Sequence, residues 1–165
     1  MTSGRQGARV RRVTPLQKDI MFKHILLPTD GSAISTAIVR NCIAFAKASG
    51  AMVTGLHVIP EFHVLTYQTE MLEATAEQYR QDSTAHAKLY LEAIEQVARE
   101  LGVQCKTVVR TDNQPYEVII EVARELGCDL ICMASHGRNG IKGMLLGSVT
   151  QKVLTHSQIP VLVFR

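Results

Sequence analysis

The residues best placed to do chemistry lie in one glycine-rich run, Ala134-Ser135-His136-Gly137-Arg138-Asn139-Gly140-Ile141-Lys142-Gly143-Met144-Leu145-Leu146-Gly147-Ser148. The apolar residues before it read as a strand, and the residues after it as a helix. Its four glycines are expected to take positive φ and to let the main chain approach a ligand closely. Gly147-Ser148 at a helix start offers N–H groups without intrahelical acceptors, a hydroxyl and a partial positive charge, which suits an anion such as a phosphate. The helix dipole alone is worth about 0.3–1 kcal/mol to a single charge, so binding would need several amides acting together. From Leu130 to the end the chain has no Asp or Glu, whereas Arg138, Lys142, Lys152 and Arg165 are all present. An anion site predicts that sign. The alternative is that the glycines only turn a surface loop.

Rival chemistries fare poorly. Met133-Ala134-Ser135-His136-Gly137 mimics a hydrolase elbow, but that architecture orders its triad Ser, acid, His, and no acid follows Ser135. Ser135 and His136 are adjacent, which is expected to disfavour a hydrogen bond between them. No Gly-x-x-x-x-Gly-Lys-Ser/Thr occurs, so a P-loop is excluded. His24, His57, His63, His86, His136 and His156 have no metal-ligand spacing with one another or with cysteine, so each is expected to be structural or exposed.

The elements that must position the loop alternate regularly. Strands are expected over 24–28, 51–59, 104–110, 129–133 and 160–164, the first a short apolar run of the kind buried on both faces. Helices are expected over 33–48, 71–101, 115–126 and 148–155. Ser32 or Asp30 would cap the first, Gly50, Gly102 and Gly127 would end three of them, and Pro115 would open the third. This order predicts a three-layer α/β fold: a five-stranded parallel sheet with helices on both faces and right-handed crossovers. Ligands in such sheets bind beyond the carboxyl ends of the strands, where strand order reverses. The segments there are 28–32, 58–60, 110–114 and 134–148.

Composition narrows the classes. The 165 residues suit one domain, and 46% hydrophobic with 20% charged is a globular balance. Aromatics at 5% and no Trp argue against a stacking platform for single-stranded nucleic acid. No apolar run reaches the ~18 residues of a membrane helix, and no secretory h-region opens the chain. Cys42, Cys105, Cys128 and Cys132 therefore read as reduced, buried thiols of a cytoplasmic protein. Net charge is +3, yet across residues 1–20 Arg5, Arg9, Arg11, Arg12 and Lys18 face Asp19 alone. That extension carries +4 and the rest of the chain −1. Residues 1–20 are read as a disordered, solvated extension rather than a nucleic-acid arm, and residues 21–165 as the folded domain.

Those residues resemble the universal stress protein family in its adenine-nucleotide-binding branch. The likeness is carried by His24-Ile25-Leu26-Leu27-Pro28-Thr29-Asp30-Gly31-Ser32, by Leu56-His57-Val58-Ile59, and by Ala134-Ser135-His136-Gly137 through Gly147-Ser148-Val149 to Ile159-Pro160-Val161-Leu162-Val163. The family's motif is a glycine, two residues, a second glycine, nine residues, then Gly-Ser or Gly-Thr. Gly137 fits the second glycine and Gly147-Ser148 closes the motif, while Ala134 replaces the first glycine. A position needing positive φ would strain Ala134; one needing only a small side chain would accept it.

The resemblance implies a Rossmann-like fold of the adenine nucleotide alpha hydrolase type. It also implies a site for ATP or AMP, with Mg accompanying ATP. That site would comprise Pro28, Thr29, Asp30, Val58, Met133, Ala134, Gly137, Arg138, Gly147, Ser148 and Val149. Asp30 would lie by ribose and phosphates, touching a metal only indirectly through the nucleotide. Val58 would pack near adenine, and Ala134 and Gly137 would contact ribose and phosphate by backbone. Gly147, Ser148 and Val149 would hold phosphate. Read without the family, Asp30 is a cap or turn residue and Val58 the end of a buried strand. The resemblance further implies a homodimer through the last strand, Val161 to Phe164. Two function classes follow: a nucleotide-binding stress-response or regulatory protein, non-enzymatic beyond slow ATP hydrolysis, or a homodimeric interaction module that has lost its nucleotide.

Overall fold

The computed structural model describes residues 21–62, 69–137 and 146–165. The expectation for residues 1–20 lies outside the described residues. Nine elements run in order: β1 (His24–Pro28), α1 (Ala33–Ser49), β2 (Met52–Ile59), α2 (Thr69–Leu101), β3 (Cys105–Thr111), α3 (Pro115–Glu125), β4 (Leu130–Ala134), α4 (Ser148–His156) and β5 (Val161–Phe164). Types and order match the sequence reading, with ends shifted by one or two residues, as fraying termini do.

All strands are parallel in the order β3-β2-β1-β4-β5. Period-two alternation sorts their side chains into two cores. Ile25 and Leu27 face a cluster built with α1 and α2, which includes Ile38, Ile43, Leu91 and Ile94. Leu26 faces the opposite cluster, built with α3 and α4, which includes Val118, Val122 and Val153. Burying each such side chain is worth about 1.5–3 kcal/mol, and this two-sided burial is what the continuous apolar runs encode. Three of the four cysteines lie in these cores, but Cys105 is half-buried, because β3 is an edge strand. Among the described residues no helix is long and apolar enough to cross a membrane.

Local chemistry sets the helix ends. Ser32, not Asp30, caps α1: its hydroxyl accepts from Ser35 N–H at 3.2 Å. Gly50, at φ +72°, ends α1, and the next N–H, of Ala51, reaches back to Ala46 O at 2.9 Å.

The chain reverses direction across the sheet between β1 and β4. The β1–β2 ladder runs the full length of β1, from His24 to Pro28. The β1–β4 ladder registers Ile25 with Leu130 and Leu26 with Ile131, then stops. Beyond those rungs the two strands are not laddered, and a crevice opens at their carboxyl ends, as parallel α/β sheets require for ligand access.

Candidate functional site

One rim of the crevice grows from the end of β1. Thr29 N–H donates to Leu56 O at 2.8 Å, so the chain leaving β1 stays tied to β2. Thr29 O accepts from His57 Nδ1 at 2.8 Å. That bond fixes the Nδ1–H tautomer, because a carbonyl can only accept. The Thr29 hydroxyl is shared with Ser35 Oγ at 3.0 Å and accepts from Gly31 N–H at 3.2 Å. With its peptide held from both sides, Thr29 leaves little freedom to Asp30, whose Oδ1 accepts from Ser32 N–H at 3.0 Å in an Asx turn. Gly31, at φ +74°, lies under the Tyr90 ring so closely that a Cβ would overlap it.

The other rim grows from the end of β4. Ala134 is buried, and no non-glycine residue among those described has positive φ, so Ala134 is unstrained. The small-side-chain alternative is therefore the one realised. Gly137 and Gly147 are also outside the positive-φ region, contrary to the expectation from the sequence. What they need is space. A Cβ on Gly137 would overlap Asp30 Oδ2, and one on Gly147 would stand 3.2 Å from His136 Cα. Gly147 N–H is not available either: it donates to Ser135 O at 2.7 Å. Gly147 caps α4 without a side-chain hydrogen bond. Among the amides left for an anion are those of Ser148 and Val149, which helix geometry leaves without intrahelical acceptors.

Between the rims lies a cavity of about 360 Å³, within the range of small-molecule sites. Pro28, Thr29, Asp30, Val58, Met133, Ala134, Gly137, Gly147, Ser148 and Val149 all line it. Arg138 lies outside the described residues. Strand order gives the cavity two ends. On the β2 side Val58, Pro60, Pro115 and Ile119 form an apolar wall. On the β4 side lie Gly137, Ser148 and Val149 at the start of α4, with Asp30 between. An elongated ligand with a flat apolar end and an anionic end matches that polarity.

Sequence reasoning missed several lining residues. His57 and His136, read as structural or exposed, both border the cavity, as do Ser35 and Thr150. His136 Nδ1 also makes a 3.1 Å hydrogen bond with Ser135 Oγ, which adjacency was expected to disfavour. The pair does not form a hydrolase elbow: Ser135 is 4% exposed and does not line the cavity. The Pro115 wall had a signal in the loop 110–114 at a strand's carboxyl end; the histidines had none, since nothing in sequence spacing aims a side chain at a crevice.

The charge argument is altered as well. Lys142, like Arg138, lies outside the described residues, and Lys152 Nζ sits 4.8 Å from the centroid of the Tyr116 ring, a cation–π pair between α4 and α3. The described lining thus offers an anion main-chain amides, and beside them the Asp30 carboxylate.

The sequence model of the universal stress protein family matches residues 21–165. A universal stress protein of Methanocaldococcus jannaschii is 32% identical over 157 residues, 88% of this chain and 96% of its own length. The solved structure of that archaeal protein superposes with a TM-score of 0.73 at 34% identity, covering 87% of this chain and 95% of the other. Two more distant structures share the fold. One, from Archaeoglobus fulgidus, is a complex with dAMP (TM-score 0.62, 18% identity, 88% and 99% coverage). The other, from Arabidopsis thaliana, has AMP bound (TM-score 0.60, 17% identity, 86% and 90% coverage).

Proposed function

The chain belongs to the universal stress protein family, and on that premise we propose that it is a regulatory, nucleotide-binding protein of the cytoplasm that holds ATP or AMP in the crevice between β1 and β4. The observation that carries this reading is the cavity itself. Every described residue of the expected site borders it, and its apolar end and the end at the start of α4 match a base and a phosphate. Relatives of the same fold hold dAMP and AMP.

In this reading adenine packs on the β2 side against Val58 and Ile119, near Pro28 and Met133. The Ser148 and Val149 amides donate to the phosphate at the N-terminus of α4, where the helix dipole adds a favourable field. Ala134 and Gly137 meet ribose and phosphate by backbone, and Thr29 holds Asp30 beside them. Asp30 is the one carboxylate among the described lining residues. A single carboxylate combined with phosphate oxygens and water is a donor set that suits Mg, which keeps most of its waters. That ion would offset the repulsion between Asp30 and a triphosphate. In this reading the site holds a ligand rather than cleaving one: Ser135 does not line the cavity and is out of reach as a nucleophile.

The protein is further proposed to pair with a second copy through β5. Val161–Phe164 is an edge strand whose four residues are all half-exposed in the single chain, and an apolar edge of that kind invites strand pairing.

The test is direct. Protein purified without added nucleotide is denatured and the supernatant read for adenine absorbance, then ATP and AMP are titrated by calorimetry. Released adenine or saturable binding below millimolar supports the reading. No release, with no heat at millimolar nucleotide, would leave a pairing module without a ligand.

A further inference from the structure

Thr150 lies in the first turn of α4, is 4% exposed, and borders the cavity. A threonine there ordinarily turns its hydroxyl to nearby helix backbone or to water. This one crosses to another element: its Oγ1–H donates to the Ala134 carbonyl, the last residue of β4, at 2.9 Å. Residues 134 and 150 bracket the whole glycine-rich run, so the bond ties its two ends together. A second tie lies beside it, from Gly147 N–H to Ser135 O. That one is backbone and tolerates any side chain, whereas the first depends on a single hydroxyl.

Resting on the nucleotide reading above, we infer that Thr150 is a positioning residue for the phosphate. Its hydroxyl sets where the Ser148 and Val149 amides stand relative to Ala134 and Gly137 across the same cavity. Hydrogen bonds from amides to an anion are strong only when short and aligned, so the cradle works only while its two rims keep their spacing. Without that bond α4 stays docked through the Gly147 tie and Val153 in the core, but its first turn loses the contact that sets its distance from Ala134, and the amide pair loses its aim. The base end, built by β2 and α3, does not depend on this bond.

The test compares AMP with adenosine, which differ only by the phosphate, on the wild type, Thr150→Val and Thr150→Ser, with Tm recorded for each. Thr150→Val is expected to weaken AMP about tenfold or more, the scale of one buried hydrogen bond lost with its partner left unsatisfied. Adenosine affinity should hold within about twofold, and Thr150→Ser should restore AMP to within about threefold. Thr150→Ala carries the same expectation if the valine variant does not fold. Equal losses of AMP and adenosine would assign Thr150 a purely structural role and overturn the inference, as would unchanged AMP affinity. A wild type that binds neither ligand overturns the nucleotide reading itself, and shows it before any substitution is made.

Discussion

Asp30 and Gly137 stand against each other across the mouth of the crevice: a Cβ on Gly137 would overlap Asp30 Oδ2. The two residues are 107 positions apart, one beyond β1 and the other beyond β4, and their closeness couples the rims of the cavity. Bare backbone at 137 is what allows the carboxylate to lie where it does.

Replacing Gly137 with Val should therefore displace Asp30 and fill the mouth of the site. AMP and ATP affinity should fall by at least about tenfold, some 1.4 kcal/mol, by calorimetry. The circular dichroism spectrum should be retained, because Gly137 lies outside both core clusters. Undiminished affinity would place the ligand elsewhere.

Asp30→Asn separates charge from shape. An amide oxygen can still accept from Ser32 N–H, so the Asx turn should survive. Binding of ATP with Mg should weaken several-fold, while ATP without Mg should bind as well as or better than to the wild type, since like charges no longer face each other. AMP, with less charge, should change least. Calorimetric titrations with and without Mg read this directly; identical behaviour of wild type and variant would remove Asp30 from the ion's surroundings.

Gly31→Ala tests the packing that supports Asp30. The left-handed φ costs about 1–3 kcal/mol for a residue with a side chain, and the new methyl would meet the Tyr90 ring. Urea denaturation should show that loss or more. In a Tyr90→Ala background the added penalty should shrink toward the backbone cost alone, giving a measurable coupling between the two sites. A neutral Gly31→Ala variant would contradict the close approach.

Buried thiols predict an alkaline limit. Burial first, then the neighbouring Asp129, pushes the Cys128 thiol from 9.0 up to about 11. Burial and then Glu95 push the half-buried Cys105 up to about 11 as well. Cys42 is raised further, chiefly by its hydrogen bond with Cys132 and then by burial. Between pH 9 and 11 the unfolded chain has lost these protons and the folded chain keeps them. The contribution is complete below pH 9, and stability falls as pH rises through that window. Chaotrope melts of the wild type and Cys128→Ala across it should show a shallower fall in the variant. At neutral pH, native Cys105 should react slowly with a disulfide reagent despite its partial exposure.

The edge strand supplies a last test. Pro160 O accepts from Ile131 N–H of β4 and Phe164 O from Ser135 N–H just beyond it, so by strand alternation the Val161 and Val163 N–H groups point to the open edge. Val163→Pro removes an outward donor without touching the β4 ladder. Sedimentation should show the wild type at twice the 18.2 kDa chain mass and the variant at one, both folded. A wild type that sediments as a single chain would end the pairing proposal.

Nearly all of the architecture was legible in the residue order. The apolar runs of β1, β2 and β4 are buried between the helix layers as central strands, whereas β3 and β5 are edges and more exposed, and Gly50 and Pro115 punctuate at positions their backbone chemistry dictates. The lining residues near glycines and strand ends could be named for the same reason, since topology sends every strand's carboxyl end to one edge of the sheet. What the linear chain could not show was which groups meet across that edge. Spacing suggested positive φ for Gly137 and Gly147, but the structure uses them for clearance against Asp30 and His136, which lie close only after folding. His57, His136 and Thr150 enter the site, and Gly147 N–H leaves it, through contacts between elements distant in sequence. Periodicity reports which face of an element is buried; the partner each polar atom finds there is set by how whole elements dock, and that was decided by the tertiary structure alone.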